Sequence, residues 1–167
     1  EYGIFASRGQ LDASVFLGGA YKNIRPDLKL KVGQWYHVAM VYEGDSLALY
    51  VDGKPQGRLP TKPLMKRKAN WLPFIVGADP DVRGRPNSFF NGEIDEIRIS
   101  KGARYNQPFE PKRRLTSDEN TVIFLDGDRT VGPFLIERSP QGHSSRLLGD
   151  AHTSACQESG QQVEGVV

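Results

Sequence analysis

The sequence predicts an all-β fold, an antiparallel sandwich of two sheets with little or no helix. Two observations carry this. Eighteen Gly and eleven Pro in 167 residues, with no long Ala/Leu/Glu/Lys run, describe many short strands separated by turns. The stretch Gly33 to Lys54 then reads as a β-hairpin. It holds two runs of β-branched and aromatic residues, punctuated by Glu43-Gly44-Asp45 and closed by Asp52-Gly53. Asp-Gly tolerates the positive φ angles of the tight turns that match strand twist.

In chain order, Gly3–Ser7 and Ala13–Gly18 read as two short strands joined by a Gly-containing turn. Asn23–Asp27 reads as a loop. Leu28-Lys29-Leu30-Lys31 alternates apolar and charged, as a half-buried strand does. On the first hairpin strand Trp35, His37, Ala39 and Val41 share one face, and Tyr36, Val38, Met40 and Tyr42 the other. Bulk on both faces places this strand inside a sandwich, with one face in the core and one lining a groove. Gln56–Pro60 is expected as an edge strand, kept there by its prolines. Thr61–Trp71 is a long polar connection, Pro73–Gly77 a buried strand and Ala78–Asn87 an exposed loop. Ser88–Ser100 is the last strand of the unit, with at most a turn of helix near 101–105.

Composition excludes several functions. Twenty-two basic against twenty acidic residues leave a net charge of +2, without the concentrated basic footprint that nucleic acid requires. No apolar run is long enough to insert in a bilayer, and none of the given residues reads as a signal peptide, any targeting segment being expected outside this stretch. A single cysteine, Cys156, excludes an internal disulfide and a cysteine-based zinc site. The chain starts at Glu1 without methionine and reads as part of a larger polypeptide. The compartment is open, with an extracellular or cell-surface setting favoured.

The order Trp35 to Val51-Asp52-Gly53-Lys54, then Ile75-Val76-Gly77, then Phe90-Asn91-Gly92-Glu93-Ile94-Asp95-Glu96-Ile97-Arg98-Ile99, then Ala103-Arg104-Tyr105, resembles laminin-G-like domains. These belong to the concanavalin A-like lectin/glucanase class, so the resemblance implies a jelly roll. Ser100–Tyr105 and Asp118–Thr121 look most like versions in large multidomain bacterial proteins, notably those of planctomycetes, where the module is an appendage. Thr121–Asp128 and Glu137–His143 resemble a segment the family places at a domain edge. The chain reads as lacking the family's first strand, so residues 121–126 are expected to complete the exposed sheet edge. The alternative is that they open a second module. On the first reading residues 1–150 are one domain and 151–167, rich in Ser, Gln, Glu and Gly, a disordered tail.

The resemblance also raises two candidate sites. Retaining glucanases on this fold carry Glu-x-Asp-x-Glu, with the two carboxylates that glycoside hydrolysis needs on one face. Here the same-face partner of Glu93 is Ile97, the bulged alternative is Arg98, and Glu96 has the wrong parity. The expectation is therefore no enzyme. Related domains hold calcium with an aspartate of this motif and an Asp-Ser-Ser-Gly-Asn loop. Glu137 replaces the loop aspartate and Pro140 sits where glycine allows the turn. Asp95, Asp126 and Asp128 remain as candidate calcium ligands, beside the simpler expectation of no cofactor.

Tyr21, Trp71 and Phe89 or Phe90 could line a sugar platform, joined by Arg83 and Arg85 of the adjoining loop. Against this, strand alternation would split Phe89 and Phe90 between core and surface. Lys62–Lys68 and Lys112-Arg113-Arg114 read as solvated loops, or as a rim for acidic glycans. His37 reads as a packed residue bonded through one ring nitrogen. No serine or cysteine sits in a nucleophile elbow, and the glycines form no phosphate-cradling loop. The expected function is a non-catalytic recognition module for a glycan or a protein surface. A structural spacer is the alternative and a β-glucan glycosidase the outlier.

Overall fold

The computed structural model describes residues 2–62 and 71–154. Cys156, Lys66, Arg67, Lys68 and the tail beyond residue 154 lie outside the described residues. The described chain is all-β, built from antiparallel pairs, with no helix. β1 (Tyr2–Ser7), β2 (Gln10–Leu17) and β3 (Ala20–Ile24) form one sheet in that order. β4 (Val38–Tyr42), β5 (Ser46–Val51) and β6 (Lys54–Pro60) form a second. β7 (Asp79–Pro80) and β8 (Pro86–Asn87) make a two-residue pair. β9 (Ile97–Ser100), β10 (Thr121–Val131) and β11 (Phe134–Glu137) form the last sheet, in the order β11-β10-β9.

The middle sheet is the organising element. β4 and β5 pair from Val38↔Val51 to Tyr42↔Leu47. Asp52 and Gly53 take φ of 50° and 69°, the double left-handed turn that hairpin twist favours. The mouth of the turn is closed twice: Asp52 Oδ1 accepts the His37 N–H at 2.9 Å, and the Asp52 N–H donates to the His37 carbonyl at 2.8 Å.

Every residue of β5 is buried. With period-2 alternation, that buries both faces. Leu47 and Leu49 join Ala13, Val15, Leu17 and Ile24 from the first sheet, with Val38 and Met40 packed alongside. Ala48 and Tyr50 join Ala39, Leu115 and Phe124 on the opposite side, with Val41, Tyr105 and Phe109. The expected alternation along β4 is therefore observed, but neither face lines a groove. Residues 101–120, which link β9 to β10, cover the second face and replace the turn of helix expected near 101–105.

Several expected elements differ. Residues 20–24 form β3, so Asn23 and Ile24 of the expected Asn23–Asp27 loop belong to a strand, because the Gly18-Gly19 turn folds them back onto β2. Residues 28–31 form no strand. Lys29 bridges to Gln10 at the start of β2, and the Leu30 N–H donates to the Gly9 carbonyl just ahead of it. Residues 73–77 are neither strand nor buried, with Phe74 41% and Val76 38% exposed. The Ser88–Ser100 strand shrinks to β9, since Ser88 and Glu96 take φ of 50° and 44° and interrupt any extended run.

Candidate functional site

Glu93 is exposed and Asp95 half-buried, both ahead of β9. The alternation used to separate Glu93 from Glu96 does not apply here, because the segment is not extended and Glu96 is left-handed. Glu96 is instead defined by its partners. Its side chain is 2% exposed; Oε1 accepts Arg114 Nη1 at 3.0 Å and Oε2 accepts the Leu115 N–H at 2.6 Å. It ties the start of β9 to the end of the covering segment.

Glu96 forms one wall of a cleft of about 540 Å³, with Thr116, Ser117, Phe124, Asp126, Asp128 and the two arginines Arg114 and Arg138 around it. Asp126 is buried and pairs with Arg138. Asp128 is half-exposed, 3.6 Å from Arg114 Nη1, and its N–H donates to Asp126 Oδ1 at 3.3 Å. Asp95 Oδ1 accepts the Glu96 N–H at 2.9 Å. Burial, reinforced by the Glu96 and Asp128 charges, pushes the Asp95 carboxyl up.

The three candidate calcium ligands thus share one corner but do not form an oxygen cage. Two guanidinium groups occupy the space between the acids. Among the described residues no group of three or more His, Cys, Asp or Glu is arranged to hold a metal ion.

The candidate sugar platform is only partly assembled. Trp71 is 71% exposed, and its ring lies with Pro73 against Gly84 of the β7–β8 turn. Phe89 and Phe90 are both exposed, at 74% and 44%, instead of being split by alternation. Phe90 is tied back by its N–H to the Gly77 carbonyl at 2.8 Å. Arg85 pairs with Asp81 at 3.1 Å, and the Arg83 N–H donates to the same carboxylate at 2.8 Å. These residues share the 71–94 excursion. Tyr21 sits on β3, edge-on to Phe16 at 5.0 Å, and nothing brings it to the others.

Three groups escaped the sequence reading. Arg114, read as a solvated charge, is the partner of Glu96 and Asp128. Arg104 grips Asp118 with two bonds, 2.9 Å and 2.5 Å, while the Lys101 N–H reaches the Asn120 carbonyl at 2.8 Å. His37 is packed as expected, but neither of its ring nitrogens has a partner among the described residues. All three depend on residues 101–120 folding back over the middle sheet, which no local motif announces.

A family model, Laminin_G_3, described as the concanavalin A-like lectin/glucanases superfamily, matches residues 1–107. No curated protein and no solved structure matches the chain.

Proposed function

The chain belongs to the concanavalin A-like lectin/glucanases superfamily, and from that premise we propose that it is a non-catalytic recognition module of a larger multidomain protein. Its ligand is a glycan or the surface of another protein. Laminin-G-like domains are generally binding modules, and one observation on this chain carries the reading further. The 71–94 excursion presents Trp71, Phe89 and Phe90 to solvent and carries Arg83 and Arg85 along the same stretch. Exposed aromatic faces stack on apolar sugar surfaces and anchor protein contacts.

A glycan array on the chain, repeated with Trp71→Ala and Phe89→Ala, tests this. Binding should appear in the parent and fall at least about tenfold in each variant, equivalent to roughly 1.4 kcal/mol. Silence against all glycans and against protein partners would favour the spacer. Hydrolysis of a β-glucan would overturn the non-catalytic reading, which rests on the engagement of Glu96.

The same proposal takes residues 1–150 as one folding unit, supported by the pairing of β10 with β9 from Thr121↔Ser100 to Leu125↔Ile97. It assigns no metal to the Asp95, Asp126 and Asp128 corner, since Arg114 and Arg138 already supply the positive charge. A chelator should leave the melting temperature unchanged within error. A rise of many degrees on adding calcium would refute that assignment. An extracellular or cell-surface setting is the working expectation for the parent protein.

A further inference from the structure

His37 immediately precedes β4, is 0% exposed, and among the described residues leaves both ring nitrogens without a hydrogen-bond partner. Its walls are aromatic: Phe109 lies edge-on at 5.4 Å and Tyr105 edge-on at 6.1 Å. Those two rings stack on each other at 3.6 Å and 7°. Both belong to the covering segment between β9 and β10. That cover is fastened at one backbone point near the histidine, where the Phe109 N–H donates to the Gly53 carbonyl at 3.0 Å. The approach is close: a Cβ on Gly53 would lie 1.7 Å from the Phe109 carbonyl oxygen.

The charged groups facing the imidazole are few. Asp52, on the β5–β6 turn, already accepts the His37 backbone N–H. Arg98, from β9, has an Nε without a partner, while its Nη atoms donate to the Thr116 carbonyl and the Tyr105 hydroxyl. Tyr50 of β5 lies against Tyr105 of the cover, ring centres 6.4 Å apart. A proton on His37 would place a second cation near Arg98, in an enclosure with one carboxylate and no partner for the new N–H.

We propose that residues 105–111 are an acid-released latch, in which protonation of His37 detaches the Tyr105–Phe109 stack while the sheets stay folded. Release would bare the Ala39, Ala48 and Tyr50 face of the middle sheet. The direction follows from linkage. Burial, helped by Arg98 and opposed by Asp52, lowers the His37 pKa from 6.5 to about 4. A base that is harder to protonate in the closed state stabilises closure fully above the open-state value. That stabilisation is lost as pH falls from 6.5 towards about 4. With an ordinary imidazole in the open state, the opening constant rises about 30-fold between about pH 7.5 and about pH 5.

Hydrogen exchange on the full chain, corrected for intrinsic rate, reads this directly. Protection of the Phe109 amide should fall by that factor over the interval while the Leu49 amide in β5 stays protected. In His37→Phe, Phe109 protection should lose its pH dependence. Three results would overturn the latch: unchanged Phe109 protection, parallel loss at Leu49, or a pH dependence that survives in His37→Phe. Should that variant not fold, the ring titration of His37 in the parent chain, followed by NMR, decides. The latch requires the ring to titrate together with Phe109 opening, and titration without opening would end it.

Discussion

Residues 38–51 and residues 71–94 are built from the same kinds of side chain and end in opposite environments. The first stretch, β4 to β5, is packed on both faces and forms the centre of the molecule. The second carries Trp71, Phe74, Val76, Val82, Phe89 and Phe90 in the open. Partners make the difference. Short turns at Glu43-Gly44-Asp45 and Asp52-Gly53 hand β4 to β5 and β5 to β6 at little cost in loop entropy. The later stretch has Pro73, Pro80 and Pro86, which lack the N–H a ladder needs, and its only strands are two residues long. Apolar content marks what could be buried, and the backbone decides what is.

The contrast can be broken by substitution. The largest effect should come from Leu49→Ala: the side chain is 0% exposed between two sheets, and urea unfolding should show a loss of about 2–5 kcal/mol. A loss under about 1 kcal/mol would mean the middle sheet is not the core.

Glu96→Ala should come next, at about 2–3 kcal/mol, because the Leu115 N–H loses its acceptor inside the fold. Arg114 is half-exposed and can rehydrate, which keeps the cost below that of a fully buried pair. A neutral Glu96→Ala would show that the covering segment is held by its aromatic rings alone.

Phe89→Ala should be smallest, within about 0.5 kcal/mol by the same assay, while affinity for any ligand of the 71–94 surface falls. Equal losses from Leu49→Ala and Phe89→Ala would erase the distinction between the two stretches.

What could be read from sequence follows the same divide. The hairpin and its turn were legible because strand, turn and partner are contiguous from Val38 to Val51. β3 was not, since Ala20-Tyr21-Lys22-Asn23-Ile24 lacks clear alternation and is made a strand by pairing with β2. Leu28–Lys31 has the alternation and lacks the partner. At the candidate site, the acidic run before β9 was visible, but the role of Glu96 was not. It depends on a left-handed backbone and on a ligand pair supplied by Arg114 and Leu115, far along the chain. Trp71, Phe89 and Phe90 were named as exposed aromatics, although Tyr21 lies on β3, away from the stretch that carries them.

The grip of Arg104 on Asp118 has a consequence for reversibility. Clamped at its neck, the span between them is a ring and not a dangling tail, so its rings never diffuse far from where they came. The clamp outlasts the acid that would open it, because the Arg104 guanidinium holds the Asp118 carboxyl well below the usual carboxylate range. Loops of about this length close on the order of 10–100 ns. Return to neutral pH would then reseat the aromatic pair by a local snap, with no need to rebuild the β framework beneath it.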